Sequence, residues 1–268
     1  MTSPPIRLVI SDVDGTLVNA KKALSPRTLA MVERLREADV LFALTSSRPP
    51  RGMSMFVDPL HLTTPIAAFN SGMIVDPELR LIEQRTISDD VSVNIISLLD
   101  EHQISIWVYQ GDEWYVRDLN GPHAQREASV VDFQPTLVEN FDTLCTNVAK
   151  IVGVSDDVNA MLLAEAAINE KFGERVSATA SQSYYLDITH PSANKGGAVD
   201  FFASHFAIPT DAIATIGDAY NDIPMFERSG LSIAMGNAVS DVKAAAREVT
   251  TSNEVDGFAN AIEQFILT

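Results

Sequence analysis

Short apolar runs alternate with helical patterns in the first third of the chain. Residues 6–10 are predicted to form a buried strand, and residues 40–44 and 66–69 are predicted to form the next two. Between the first two, Ser25 and Pro26 are typical of a helix start, and apolar residues at helical spacing follow them. This strand–helix–strand order favours parallel βαβ units with right-handed crossovers.

The pattern changes after about residue 81. The predicted elements of this middle part are a helix over 89–102, hairpin strands over 104–109 and 114–116, a strand over 148–154, a helix over 157–172 and paired strands over 176–180 and 184–188. Helices and antiparallel pairs in this order indicate a separate α+β unit.

The βα alternation returns near Lys195. The predicted elements there are a helix over 196–206, a strand over 212–216, a short helix over 222–228 and a strand over 231–234. The sequence therefore predicts an α/β fold with a Rossmann-like parallel sheet core over residues 1–82 and 190–268. An α+β cap domain over residues 83–189 is predicted to be inserted into this discontinuous core.

Charge and composition exclude several classes of partner. The net charge is −17, from 36 acidic and 19 basic residues, and the longest basic cluster is Lys21-Lys22. Nucleic acids and anionic membranes require clustered Lys and Arg, so neither is expected as a partner. Cys145 is the only cysteine, which excludes an intrachain disulfide. Because the first residues lack a signal-peptide pattern and no long apolar run occurs, a cytoplasmic location is expected.

Candidate functional residues lie at the ends of predicted strands and at the start of a helix. Asp12 and Asp14 follow the first strand, residues 45–48 follow the second, residues 217–222 follow a later strand, and Lys195 begins a helix. Burying an unpaired carboxylate inside a strand is expensive. At the carboxyl ends of parallel strands, however, such groups open into the crevice where α/β proteins bind ligands. We therefore expect these residues to lie close together.

The types of side chain at these positions indicate phosphoryl chemistry. Several carboxylates repel one another unless a cation lies among them, and oxygen donors without His or Cys favour a hard ion such as Mg²⁺. The ammonium of Lys195 and the hydroxyl of Ser46 suit the oxygens of a phosphoryl group. One carboxylate can attack phosphorus to form an acyl phosphate, and a second can transfer protons.

At these motifs the chain resembles the phosphatases of the haloacid dehalogenase (HAD) superfamily, and more closely the Cof-type branch with a large C2-type cap. Residues 12–17, DVDGTL, are similar to its DxDGT motif, and residues 46–49, SSRP, to its TGRP-like motif, with Ser in place of Thr and of Gly. Lys195-Gly196 matches the third motif, and residues 217–222, GDAYND, match the fourth, GDxxND. Two further segments, Asn70-Ser71-Gly72 and residues 235–238 (MGNA), resemble an NGA-type turn and the family's MGNA segment.

The resemblance implies a role for each matched residue. Asp12 would be the nucleophile and Asp14 the general acid/base, so that the implied catalytic residues are Asp12, Asp14, Ser46 and Lys195. The implied phosphate- or substrate-binding residues are Gly15, Ser46, Ser47, Arg48, Lys195 and Asn221. The implied ligands of Mg²⁺ are Asp12, Asp14 through its main-chain carbonyl, Asp218 and Asp222.

Two of these assignments stay open between alternatives. The hydroxyl of the second motif belongs to Thr45 or Ser46, and the register relative to the strand and to Arg48 favours Ser46. Asp222 either ligates the metal through water or orients Lys195. Simpler interpretations exist for single residues: Asp-Gly pairs form turns, Asn221 or Asp222 can cap a helix, and Arg48 can form a surface ion pair.

The predicted activity is Mg²⁺-dependent hydrolysis of a small phosphomonoester, with sugar phosphates favoured, through an aspartyl-phosphate. The alternatives are a phosphomutase or phosphotransferase of the same superfamily, and a catalytically silent protein that binds sugar phosphates. A dehalogenase is less favoured because that reaction needs neither the metal site nor Asp14. In the cap, Trp107 and Trp114 are expected to pack in the interior, with stacking on a sugar or base as the alternative. The sequence does not predict the oligomeric state.

Overall fold

The computed structural model describes residues 4–267. Its strands are β1 (Leu8–Ser11), β2 (Leu41–Thr45), β3 (Ile66–Ala68), β4 (Met73–Val75), β5 (Leu81–Gln84), β6 (Ser105–Gln110), β7 (Glu113–Val116), β8 (Thr136–Leu137), β9 (Val148–Val154), β10 (Ser177–Gln182), β11 (Tyr185–Thr189), β12 (Ile213–Gly217), β13 (Leu231–Ala234) and β14 (Glu248–Val249). Its α-helices are α1 (Pro26–Glu37), α2 (Val57–Leu60), α3 (Asp89–Glu101), α4 (Ala124–Val131), α5 (Val158–Phe172), α6 (Lys195–Phe206), α7 (Ile223–Phe226), α8 (Ser240–Ala245) and α9 (Gly257–Phe265).

These elements form two compact units. The first contains Met53–Ile82 together with the described residues up to Arg48 and from Asn194 onward. The second contains Pro49–Gly52 and Glu83–Ala193.

The first unit is built on a sheet whose strand order is β14-β13-β12-β1-β2-β3-β4-β5. The pairs from β14 to β3 are parallel, and β4 runs antiparallel to β3. Strands β1, β2 and β12 are neighbours, so their carboxyl ends lie at the same edge of the sheet. The central strands are apolar and buried, as expected where both faces of a parallel sheet are covered. The predicted α/β fold with a parallel sheet is confirmed.

Local signals in the sequence explain where several elements begin and end. Ser25 caps α1 as predicted, because its hydroxyl accepts a hydrogen bond from the backbone N–H of Thr28. The strand predicted over residues 66–69 is one residue too long. It ends at Ala68, since Phe69 has a φ of 49°, which no strand can accommodate. The helix predicted over 222–228 is also too long: a 3₁₀ turn over Tyr220–Asp222 precedes the short α7.

The second unit is an α+β structure with its own core. Its strand order is β10-β11-β9-β6-β7-β8. Among the described pairs of this sheet, β7 and β8 are parallel and the others are antiparallel. Apolar residues of α3 and α5 pack with buried apolar residues of β6, β9 and β11. Trp107 and Trp114 are buried, with ring centroids 4.9 Å apart, which confirms that they pack in the interior. Helix α4 was not predicted.

Among residues 4–267, no helix combines the length and the apolar character needed to cross a lipid bilayer.

Candidate active site

A buried lysine joins two carboxylates at the sheet edge of the first unit. Asp12 directly follows β1, and Lys195 is the first residue of α6. The ammonium Nζ of Lys195 lies 2.5 Å from Oδ1 of Asp12 and 2.6 Å from Oδ1 of Asp222. All three side chains are almost completely buried, so the lysine compensates carboxylates that would otherwise be expensive to desolvate. Lys195 is therefore a buried residue of this site, and not a solvated surface lysine.

Asp222 is held by the loop that follows β12. Its Oδ2 accepts hydrogen bonds from the backbone N–H groups of Asp218 and Ala219, each at 2.8 Å. A Cβ atom at Gly217 would lie 2.3 Å from the Asp222 carboxyl carbon, so only glycine permits this close approach. No side-chain hydrogen bond from Asp222 caps α7, but its bond to the Ala219 N–H caps the 3₁₀ turn over Tyr220–Asp222 that precedes α7. Its bond to Lys195 agrees with the orienting role.

Asp218 lies beside this pair and is fixed by three neighbours. Its Oδ1 accepts a hydrogen bond from the Thr16 hydroxyl at 3.0 Å, and its Oδ2 accepts one from the Asn237 amide at 3.2 Å. Gly15, with a φ of 84°, passes so close that a Cβ atom there would lie 2.2 Å from Oδ2 of Asp218. Glycine at position 15 is therefore required both by the backbone conformation and by the space that Asp218 occupies.

Three carboxylates of this edge form a candidate metal site. Oxygen atoms of Asp12, Asp218 and Asp222 lie within 4.8 Å of one another. Burial and the neighbouring carboxylates raise the pKa of Asp12 well above its usual value, although Lys195 opposes the shift. Burial and Asp222 likewise raise the pKa of Asp218, to about 6. A divalent cation would offset this repulsion, and the all-oxygen donor set fits a hard cation.

Asp14 faces two cations of its own. Arg48 donates hydrogen bonds from Nε to Oδ2 at 2.7 Å and from Nη2 to Oδ1 at 2.9 Å, a bidentate pair. The ammonium of Lys22 lies 2.6 Å from Oδ1. Burial alone would raise the pKa of Asp14, but its bonds to Arg48 and Lys22 lower the pKa to about 2. The interpretation of Arg48 as a surface ion pair is wrong, because the Arg48 side chain is buried.

The hydroxyl groups after β2 have different environments. Ser46 is the first residue beyond the strand, and its Oγ accepts a hydrogen bond from the backbone N–H of Arg48 at 3.2 Å. This leaves the hydroxyl proton of Ser46 available for a ligand oxygen. Thr45 is the last residue of β2, and among the described residues no group bonds its buried Oγ1. Ser47 lies half-buried between Ser46 and Arg48.

Asn221 meets a residue from the turn after β3. Its amide donates a hydrogen bond to Oδ1 of Asn70 at 3.2 Å. Within the described part of the chain, Oδ1 of Asn221 is buried and has no hydrogen-bond partner. The next residue in the chain, Asp222, bonds to Lys195, so Asn221 is adjacent in sequence to the buried ion pair between Asp222 and Lys195.

The sequence interpretation missed four residues that organise this site. Lys22 belongs to no motif that the sequence shows, and no sequence signal identifies it as a partner of Asp14. Thr16, Asn70 and Asn237 lie in segments that resemble family motifs, yet no role was derived for them. Thr16, Asn70 and Asn237 act through contacts with residues far away in the sequence, and Lys22 reaches Asp14 only through the course of the loop between them, which a single sequence does not display.

Comparison with known proteins decides the family. A profile of haloacid dehalogenase-like hydrolases matches residues 9–262. The chain belongs to this family. The match covers both compact units and all four motifs, so the predicted resemblance is confirmed and the chain is a HAD-type phosphatase of the Cof type.

Similar proteins extend over nearly the whole of this HAD chain. A Haemophilus influenzae protein is 30% identical over 96% of this chain and 97% of its own length. Its name describes a phosphatase and specifies no substrate. The 5-amino-6-(5-phospho-D-ribitylamino)uracil phosphatase YitU of Bacillus subtilis is 25% identical over 96% of this chain and 97% of its own. The crystal structure of a haloacid dehalogenase-like hydrolase from Bacteroides thetaiotaomicron has a TM-score of 0.89 and 27% identity, covering 97% of this chain and 99% of that one.

Proposed function

We propose that this phosphatase hydrolyses a small phosphomonoester, with sugar phosphates as the favoured class, using Mg²⁺ and an aspartyl-phosphate on Asp12. The observation that carries the proposal is the buried lysine bridge. Lys195 Nζ lies within 2.6 Å of both Asp12 and Asp222, and Asp218 completes a set of carboxylate oxygens within 4.8 Å. A nucleophile, a fixed positive charge and oxygen donors for a cation are what phosphoryl transfer requires.

Asp12, Asp218 and the main-chain carbonyl of Asp14 would hold the Mg²⁺, with Asp222 as a ligand through water or as the residue that orients Lys195. When bound, Mg²⁺ supplies positive charge to the phosphoryl oxygens. Lys195, Ser46 and Asn221 would donate hydrogen bonds to the same oxygens. The hydroxyl of Ser46 supports this role, because its Oγ already accepts a bond from Arg48 N–H and retains its proton for a ligand.

In the first step a carboxylate oxygen of Asp12 attacks phosphorus and the bond from phosphorus to the leaving oxygen breaks. Asp14, in its protonated form, gives its proton to that oxygen, so an alcohol leaves and an aspartyl-phosphate remains. Lys195 stays bonded to the attacking side chain and stabilises the negative charge that moves onto the phosphoryl oxygens.

In the second step water attacks phosphorus and the bond from phosphorus to Asp12 breaks. Asp14, now ionised, accepts the proton of the attacking water, and inorganic phosphate leaves. The ion pairs with Arg48 and Lys22 fix both oxygens of Asp14 and favour the ionised form that acts in this step. The first step requires these ion pairs to open, because they oppose the protonated form that donates to the leaving oxygen.

We further propose that the first compact unit is the catalytic core and that the second is the cap. All residues with a proposed chemical role belong to the first unit. Relatives of this chain differ in the substrates in their names: YitU acts on 5-amino-6-(5-phospho-D-ribitylamino)uracil, and YbhA of Escherichia coli is a pyridoxal phosphate phosphatase. A variable cap on a common core accounts for such differences.

A panel of phosphorylated metabolites tests the proposal. The purified protein, with Mg²⁺, is incubated with hexose and pentose phosphates, nucleotides, pyridoxal phosphate and flavin-pathway phosphates, and released phosphate is measured. We expect release in water alone, loss of release with EDTA, and the highest kcat/KM with a sugar phosphate. Release only after addition of a sugar acceptor would favour a phosphotransferase. Binding of sugar phosphates without any release would favour a silent binding protein.

A further inference from the structure

Asn70 connects two of the segments that are proposed to bind the phosphoryl group. Its backbone N–H donates a hydrogen bond to the carbonyl oxygen of Ser46 at 2.7 Å. Its side-chain Oδ1 accepts a hydrogen bond from the amide of Asn221 at 3.2 Å. The two partners come from the loops after β2 and β12.

The backbone around Asn70 has an unusual conformation that serves this connection. Phe69, Asn70 and Ser71 have φ values of 49°, 55° and 67°, three consecutive non-glycine residues in the left-handed region. Each such residue costs free energy, and such residues persist where the surrounding structure requires them. Here the neighbouring N–H of Phe69 also donates to the carbonyl of Arg48 at 3.0 Å, so the turn is anchored along the second-motif loop.

The bond to Asn70 leaves the other amide atom of Asn221 without a partner. Within the described residues that atom is buried and makes no hydrogen bond, which is unusual for a polar atom in a folded protein. The oxygen and nitrogen of an amide occupy equivalent positions, so exchanging them in both residues preserves the bond between Asn70 and Asn221. The unpartnered atom of Asn221 is then an N–H donor, the group that an anionic oxygen requires.

We propose that Asn70 is a positioning residue that holds the Asn221 amide so that its free N–H group is presented to a phosphoryl oxygen. This inference rests on the proposed function and deepens it, because it assigns to the turn after β3 a part in binding phosphate. Asn70 itself makes no contact with the phosphoryl group in this scheme. Its effect on phosphate binding passes entirely through Asn221.

A double-mutant cycle tests this dependence. The variants are Asn70→Gly, Asn221→Ala and the double variant, and the measured quantity is the inhibition constant of inorganic phosphate against 4-nitrophenyl phosphate with Mg²⁺. Glycine adopts the left-handed conformation without strain, so Asn70→Gly removes the side chain and keeps the turn. The matched control is His61→Gly, a left-handed residue with a φ of 47° that precedes β3, at the opposite end of that strand.

We expect Asn70→Gly to raise the inhibition constant about tenfold, the effect of losing one hydrogen bond to a charged group, with an unchanged midpoint of thermal unfolding. KM should rise more than kcat falls. Asn221→Ala should give a similar rise and the double variant no further rise, because the two residues act in series. His61→Gly should leave the inhibition constant unchanged.

Three results would overturn the inference while the proposed function stands: an inhibition constant within twofold of wild type in Asn70→Gly, multiplied effects in the double variant, or an equal rise in His61→Gly. A wild-type protein that neither releases nor binds phosphate would overturn the proposed function, and this inference with it.

Discussion

The ammonium of Lys195 lies 2.5 Å from a carboxylate oxygen of Asp12, and both side chains are buried. Lys195 and Asp12 are far apart in the sequence. They meet because the first residue of α6 lies beside the carboxyl end of β1, at the edge of the sheet. The ammonium of Lys195 therefore provides a positive charge directly beside Asp12, the proposed nucleophile. Removing one partner is expected to destabilise the fold, because it leaves the other charge buried alone.

Lys195→Met should therefore destabilise the fold as well as abolish turnover. Replacing the lysine leaves Asp12 and Asp222 buried without their shared partner, which is expected to lower the free energy of unfolding by about 3–5 kcal/mol. Urea denaturation in EDTA measures the change. The control is Lys21→Met, at an exposed lysine in the turn between β1 and α1, which should change it by less than about 0.5 kcal/mol. Equal stabilities of the two variants would contradict a buried ion pair at Lys195.

Gly15→Ala should weaken metal binding and cost more stability than the same substitution elsewhere. A Cβ atom at residue 15 would lie 2.2 Å from Oδ2 of Asp218, so this carboxylate must move. The matched control is Gly111→Ala, since Gly111 also has a positive φ, of 61°, but no atom of the described structure lies within 4 Å of the new Cβ. The control measures backbone strain alone, about 1–2 kcal/mol.

The measurement for both glycine variants combines thermal unfolding with a calorimetric Mg²⁺ titration. We expect Gly111→Ala to keep the wild-type affinity for Mg²⁺ and Gly15→Ala to lose about tenfold or more, in line with displaced ligands in other metal sites. Equal affinities in the two variants would show that Asp218 does not hold the metal.

The ion pairs of Asp14 should make stability depend on pH in the acid range. Its pKa is lowered from 3.8 to about 2 in the folded protein, so pairing stabilises the fold above the ordinary value and is lost as the pH falls through about 2. The shift corresponds to about 2 kcal/mol. The stability difference between wild type and Asp14→Asn in EDTA should therefore shrink by about this amount between pH 5 and pH 2. A difference independent of pH would contradict the pairing with Arg48 and Lys22.

Ser46→Ala and Thr45→Val together decide which hydroxyl of the second motif binds phosphate. Ser46 lies beyond the end of β2, whereas Thr45 is within the strand and, among the described residues, its buried hydroxyl has no partner. We expect Ser46→Ala to raise KM for an aryl phosphate about tenfold through one lost hydrogen bond to a charged group. Thr45→Val removes an unsatisfied hydroxyl with little change of shape and should leave KM unchanged. The opposite result would assign the role to Thr45.

The sequence predicts those parts of the fold that depend on local patterns. The Ser25-Pro26 start of α1, the hairpin around Gly111 and the strand over Val148–Val154 all follow from short-range signals, and the structure confirms them. The short strands β4 and β5 carry too few residues to show a period. The sequence predicts a strand at Phe69 because this residue is apolar and continues an apolar run, although tertiary hydrogen bonds hold it in the left-handed region.

The candidate site shows the same division. The carboxyl ends of parallel strands must share an edge, so the proximity of Asp12, Asp218 and Asp222 could be predicted before the structure. The partners of Asp14 could not, because Lys22 reaches it from a loop whose course is determined by packing. The contact of Asn70 with Asn221 likewise depends on how two distant loops fold against each other.

The central claim, that Asp12 is the nucleophile, is tested most directly by trapping the covalent intermediate. The protein is mixed with a ³²P-labelled phosphomonoester and Mg²⁺, quenched in acid within one turnover, reduced with borohydride and digested, and the modified residue is identified by mass spectrometry. The acid-quenched protein is predicted to carry ³²P before reduction, and after reduction, which displaces the labelled phosphate, Asp12 is predicted to appear as homoserine. Asp12→Asn should remain folded, carry no label and release phosphate at least about 10⁴-fold more slowly, as expected when a nucleophile is removed. Label on another residue, or near-normal phosphate release by Asp12→Asn, would contradict the account.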